Sequence, residues 1–187
     1  MDPEMLAQIQ KTVKETLDSE LAQRIKDEVK KQAGPDKAAI IASKGTLDMA
    51  YPPLILASTC AALDIECAVF FTFYGLEILR KKKNAHLGVP PIGNPAMPVP
   101  MPNILGMLPG MTAMATSMMN SWMKKAGVAT IPQLLDECIE AEVKLIACQM
   151  TMDVMGIKRE ELIDPIEVGG AATFLSYAAG CNITLFI

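Results

Sequence analysis

The sequence predicts a three-layer α/β/α domain built on a five-stranded, mainly parallel sheet, with an extra helix in front of it. Three observations carry this reading. Short apolar runs alternate with stretches of helical length, which is the order of parallel strands joined by crossover helices. The run from Ile65 to Thr72 (IECAVFFT) is hydrophobic almost without interruption, as a strand covered on both faces must be. The run from Lys144 to Cys148 (KLIAC) passes directly into a segment of helical period that stops at Gly156.

The 187 residues suffice for one domain with a sizeable core plus an appendage, and 51% hydrophobic against 20% charged content excludes general disorder. A formal net charge of −4 and a pI near 5.1 argue against nucleic acid as a partner. The start, Met1-Asp2-Pro3-Glu4, carries no secretory signal. The five cysteines are an odd number without any C-x-x-C pair, so free thiols in a reducing cytoplasm are expected. With a single histidine there is no zinc-ligand spacing, and neither a metal nor an organic cofactor is expected.

Residues 4–31 read as one amphipathic helix with Leu6, Ile9, Val13, Leu17, Leu21, Ile25 and Val29 on its apolar stripe, closed by Gly34-Pro35. It forms an N-terminal region over 1–34, ahead of an α/β domain over 35–187. The stripe drifts about 40° per four-residue step, which suits wrapping on its own domain or a neighbouring subunit better than a straight two-helix seam. Lys37 to Ser43 is the first strand. A helix over about 47–63 follows, capped by Thr46, with Pro52-Pro53 expected to kink or shift its start. After the second strand, Phe73-Tyr74-Gly75 turns into a short helix ending in Arg80-Lys81-Lys82-Lys83, read as a solvated C-terminal cap.

An insertion at about 84–123 contains no Asp, Glu, Lys or Arg. Its first half is a proline-rich loop. Its second half, roughly 111–126, is helical, with Met111, Met114, Met118 and Trp122 along one side. Pro102, Gly106, Pro109, Gly110 and Asn120 speak against a membrane span, and a methionine copper site lacks supporting ligands. The favoured reading is a flap whose Met-rich face covers the active edge or a subunit contact. Thr130-Ile131-Pro132 caps the next helix, which buries Leu134, Leu135, Cys138 and Ile139. Lys158 to Leu162 gives a short helix, Ile166-Glu167-Val168 a brief fourth strand, Ala171–Ala179 a helix behind Gly169-Gly170, and Asn182 to Ile187 the fifth strand.

Cys148 stands at the strand–helix junction, where the first helical N–H groups have no partner inside the helix and a sulfur anion is stabilised. Ligands of open α/β sheets gather at these strand ends. Cys148 is therefore the candidate reactive residue, set against the alternative of a buried structural cysteine. Cys67 and Cys138 fall within apolar patterns and read as inert, and Cys181 lies at the far edge.

These residues carry a resemblance. Phe70 to Leu76 (FFTFYGL), Leu145 to Gly156 (LIACQMTMDVMG), Glu160 to Asp164 (EELID), Gly169 to Phe174 (GGAATF) and Ile183 to Ile187 (ITLFI) make the chain resemble the DsrE/DsrF-like family, in particular its larger DsrE-like members often labelled peroxiredoxin-family proteins. The resemblance covers roughly residues 37–187 in order. It implies a flavodoxin-like domain that forms homo-oligomers, and a cytoplasmic sulfur carrier or sulfurtransferase that holds sulfane sulfur as a persulfide on Cys148. It also implies exchange with rhodanese-like and TusA-like proteins. The peroxiredoxin label gains nothing from the residues, since no resolving cysteine or arginine beside Cys148 is legible. Two other readings stand beside this one: a non-catalytic oligomeric scaffold with structural cysteines, and a redox sensor acting through an intersubunit disulfide.

Overall fold

Five short strands, rich in β-branched and aromatic residues, form one parallel sheet: β1 (Lys37–Ala42), β2 (Glu66–Phe71), β3 (Lys144–Cys148), β4 (Glu167–Gly169) and β5 (Ile183–Phe186). The computed structural model describes residues 12, 14, 16–25, 36–90 and 110–187, and every count of strands, helices or contacts refers to those residues. The chain separates into two compact units, Met1–Asp36 and Lys37–Ile187. Within the first, residues 12, 14 and 16–25 are helical (α1), and Leu17, Leu21 and Ile25 are exposed. The rest of the helix expected over 4–31, and its stop at Gly34-Pro35, lie outside the described residues.

In the second unit the strands run in the order β4-β3-β2-β1-β5. The three-layer parallel architecture is the expected one. The order differs from the 2-1-3-4-5 arrangement of flavodoxin itself. Here the chain steps outward from β1 to β4 and then returns to the free flank of β1. That path decides which face each helix covers, because crossovers between parallel strands keep one hand. Helices α2 (Leu47–Ala62), α4 (Ile131–Glu140) and α5 (Gln149–Met155) connect outward steps and share one core with Ile40, Val69, Phe71 and Leu145 through Leu54, Leu135 and Met152. Helix α6 (Ala171–Ala178) makes the return step and lies on the opposite face. There its Phe174 stacks on Phe70 with ring centroids 5.0 Å apart, beside Ala39, Ile146 and Cys148.

Several expectations need correction. Helix α2 begins at Leu47 and runs through Pro52 and Pro53 without interruption, and Thr46 caps it by position with no side-chain bond. The segment after β2 is a 3₁₀ helix, Phe73–Leu79. The cations that follow it are ion-paired rather than simply solvated. Arg80 and Lys83 each reach Glu77 at 2.9 Å, Arg80 also meets Glu161, and Lys81 meets Asp164 at 3.2 Å. Those hydrogen bonds outweigh the desolvation of Glu77 and hold its carboxyl below the usual range. The fourth strand sits one residue later than its apolar residues suggest, because Glu167–Gly169 pair with Ile146–Cys148.

Helix α3 (Met111–Lys125) forms where it was expected, but Met114, Met118 and Trp122 face outward. It meets the core through Met119 and Met123, and Thr116 Oγ1 accepts the Val89 N–H at 3.1 Å. The proline loop over 91–109 lies outside the described residues. No described helix is long and apolar enough to cross a membrane. Thr130 closes a capping box with Gln133 at the head of α4, as the sequence indicates.

The ends of β1 and β2 are drawn together by two glycines. A Cβ on Gly75 would overlap the Ala42 carbonyl oxygen, and one on Gly45 would overlap the Tyr74 carbonyl oxygen. Neither obstacle is a flexible side chain, so the backbone itself must move to accept a methyl group. Gly75→Ala is therefore expected to lower the unfolding free energy by about 1–3 kcal/mol in urea titrations, with loss of the native loop beside Thr72.

Candidate functional site

The parallel register of β2 and β3 builds the site. Phe71 lies beside Ala147, so the next residues, Thr72 and Cys148, emerge as neighbours at the carboxyl edge. Side chains alternate along a strand, and both residues share parity with Phe70 and Ile146, which point to the α6 face. On the other flank Cys148 pairs with Gly169, the last residue of β4. The connection after β3 leaves toward the α2/α4 face and the connection after β4 leaves toward the α6 face. Ligands of open α/β sheets gather where neighbouring loops part in this way, and Cys148 lies at that edge.

Cys148 has the extended backbone of an N-cap (φ −72°, ψ 112°), and α5 begins at the next residue. Its side chain is enclosed, at 4% exposure, and burial alone pushes a thiol pKa up. Hydrogen bonds outweigh that effect. The Thr151 hydroxyl and N–H, the Thr72 hydroxyl and the Met150 N–H near the sulfur favour its thiolate, and its pKa lies below the ordinary thiol value. Thr151 is 2% exposed, and its hydroxyl oxygen accepts the Phe73 N–H at 3.0 Å. Thr72 Oγ1 lies 3.3 Å from Thr151 Oγ1, so one of the two hydroxyls donates to the other beside the sulfur.

The loop that supplies Phe73 is strained. Phe73 has φ +47°, a left-handed conformation that costs a bulky residue energy. Three hydrogen bonds hold it there: its own N–H to Thr151, the Gly75 N–H to the Thr72 carbonyl at 2.9 Å, and the Thr72 N–H to the Ala42 carbonyl at 3.0 Å. The reward is outward presentation of two aromatic side chains. Phe73 and Tyr74 are exposed, as are Met150 and Val154 on α5, so the segments that follow β2 and β3 both carry exposed apolar side chains.

The other thiols differ. Cys138 is fully buried, its S–H donates to the Leu54 carbonyl at 3.7 Å, and burial pushes it up to about 11. Burial likewise raises Cys67 and Cys181, and the Cys60 thiol beside Cys67 adds to its rise. Elsewhere along this edge, Gly169 pairs with Cys148 directly, Ser43 follows the end of β1 and donates to the Ile187 carbonyl at 2.9 Å, and Thr46 heads α2. Sequence reasoning missed Thr72 and Thr151. The available signals were a threonine three residues after the cysteine, where a capping side chain sits, and a threonine at the matching end of the adjacent strand. Among the described residues no group of His, Cys, Asp and Glu is arranged to hold a metal ion.

The model of the DsrE/DsrF/DrsH-like family matches residues 35–186. The sulfur carrier protein DsrE2 of Allochromatium vinosum is 55% identical over 157 residues, covering 81% of this chain and 98% of that protein. The protein YrkE of Bacillus subtilis is 35% identical over 161 residues, covering 81% and 96%. Among solved structures, the ychN protein of E. coli aligns with a TM-score of 0.44 at 13% identity, over 81% of this chain and 99% of that one.

The hydrogen-bond set makes a pH-dependent prediction. Cys148 should react with iodoacetamide at lower pH than an unperturbed thiol, and well before Cys67 or Cys138. Thr151→Val removes one donor and one link to Phe73. The midpoint of the alkylation–pH curve of Cys148 should then move upward, while Thr151→Ser keeps it near the original position.

Proposed function

We propose, from the premise that the chain belongs to the DsrE/DsrF/DrsH-like family, that it is a sulfur carrier which holds sulfane sulfur as a persulfide on Cys148. The observation that carries the reading is the donor set converging on one enclosed sulfur, in a chain 55% identical to a protein named a sulfur carrier. The Cys148 thiolate attacks the outer sulfur of a donor persulfide, the donor's S–S bond breaks, and the donor departs as a thiolate. An acceptor thiolate then takes the outer sulfur from Cys148 and restores its thiolate. Sulfane sulfur changes hands with no net oxidation, so neither metal nor organic cofactor is required. The polar groups of Thr72, Met150 and Thr151 favour the Cys148 thiolate, which is the attacking form in the first step and the leaving form in the second.

The fitting partners are small thiol carriers of the TusA-like or rhodanese-like kind, in the reducing cytoplasm that keeps all five cysteines free. They meet the exposed side chains of Phe73, Tyr74, Met150 and Val154, and no nucleic acid is involved. Incubation with polysulfide, followed by intact-mass measurement, should show a species one sulfur atom heavier that a thiol acceptor discharges. Cys148→Ser should abolish it and Cys181→Ser should leave it. An adduct that survives Cys148→Ser overturns the assignment.

The same reading includes a homo-oligomer. Helix α6 is the one described helix on its face, and it spans eight residues over a five-stranded sheet. A shallow hollow of about 580 Å³ remains beside it, lined by Ile41, Leu175, Thr184, Leu185 and Phe186. Phe186, on edge strand β5, is 74% exposed, and Leu175 is exposed as well. Contiguous apolar surface of this kind marks an interface, and its occupant in this reading is a second copy of the chain. Phe186→Asp combined with Leu175→Asp should reduce the mass measured by light scattering to that of a smaller assembly, with the circular dichroism spectrum unchanged.

A further inference from the structure

Away from Cys148, a cavity of about 920 Å³ lies between α2, the turn at Asn84–His86, the end of α3 and the start of α4. Its volume suits a small organic ligand. Leu47, Met123 and Ile131 give it an apolar floor. Two polar side chains break that floor. Tyr51 is 6% exposed and Asn84 is 8% exposed, and both line the cavity. Neither the Tyr51 hydroxyl nor the Asn84 carboxamide has a hydrogen-bond partner among the described residues, and neither is sealed from solvent in the way that Asp48 Oδ1 is. Both groups line the cavity, and Asn84 also borders a second hollow beside Lys81 and Asp164. An unpaired polar group in such a place costs free energy that a ligand able to bond it recovers.

Charge indicates what that ligand carries. Asp136, Glu137 and Glu140, all exposed, stand at the mouth on successive turns of α4, and Lys124 opposes them. Three carboxylates against one ammonium leave two negative charges in excess. Burial keeps the Tyr51 hydroxyl protonated well above neutrality, so it acts as a neutral donor and acceptor rather than as an anion.

From the unpaired Tyr51 and Asn84, the apolar floor and the acidic mouth, we infer that this cavity is a binding site for a small organic cation, an aliphatic amine with a chain of a few methylenes. The ammonium group lies against the α4 carboxylates, the methylenes lie on Met123 and Ile131, and a second polar end bonds Tyr51 and Asn84. The site uses none of the residues named around Cys148, so it stands or falls independently of sulfur transfer.

Isothermal titration of the full chain with three five-carbon probes of equal length tests the inference: cadaverine, 1,5-pentanediol and glutarate. Saturable binding of one cadaverine per chain is expected, with the diol weaker and no uptake of glutarate. Tyr51→Phe should weaken cadaverine roughly three- to tenfold, the loss of one buried hydrogen bond. Asp136→Asn with Glu140→Gln, both on the surface and neutral toward folding, should weaken it further and flatten its salt dependence. Equal binding of all three probes, no saturable binding of cadaverine because water alone fills the cavity, or affinity unchanged by the Asp136/Glu140 pair overturns the inference.

Discussion

The register between β2 and β3 is the constraint on which the molecule's chemistry depends. Pairing Phe71 with Ala147 fixes, one residue further on, that Thr72 and Cys148 leave the sheet side by side and on the same face. A slip of one residue turns each side chain over to the opposite face. Phe71 and Ala147 are both fully buried, so such a slip also takes apolar residues out of a packed core. The site thus inherits its precision from the hydrophobic pattern of two central strands. Loops contribute little to it beyond the one residue, Phe73, whose backbone N–H engages Thr151.

This origin explains what the sequence made legible. Continuous hydrophobicity in β2, the capping threonine of α4 and the glycine stop after α5 are local signals, and each is found where it reads. Cys148 was legible because a strand run and a helical run meet at it. Thr72 was not, because its relevance arises from a partner 76 positions along the chain, brought near by pairing that no local pattern encodes. Thr151 was half legible: its spacing is that of a capping residue, but the group it serves is a sulfur. The prolines of α2 misled because propensity penalises them in a helix interior, whereas Tyr51, Pro53, Leu54 and Ala57 bury enough apolar surface to keep the helix whole. On α3 the regular stripe of Met114, Met118 and Trp122 faces outward, and the packed pair, Met119 and Met123, is less conspicuous in the sequence.

Topology accounts for the contrast between the two faces. Because β2, β3 and β4 are added in succession on one side of β1, three of the four crossovers lie over the same face, and that face holds most of the core. The return from β4 to β5 leaves a single described helix on the other, where four buried residues, Cys148 among them, accompany the Phe70–Phe174 stack. Cys148 thus belongs to the thinly covered face. The thiols on the thick face, Cys67 and Cys138, are removed from chemistry by the same asymmetry, since burial without donors raises a thiol pKa.

Enclosure of Cys148 then becomes an asset for a carrier rather than an obstacle. A persulfide extends the side chain by one S–S bond, about 2 Å. In the proposed reading the inner sulfur stays beside Thr72 and Thr151, and the outer sulfur lies further from the sheet end. Transfer requires attack on the outer atom, with Cys148 as the leaving thiolate, and the donors that lower its pKa make it a better leaving group. In the proposed reading, a partner that covers Phe73 and Tyr74 brings its own thiolate to the enclosed sulfur, and the strained Phe73 backbone is the structural cost of presenting those two aromatic side chains.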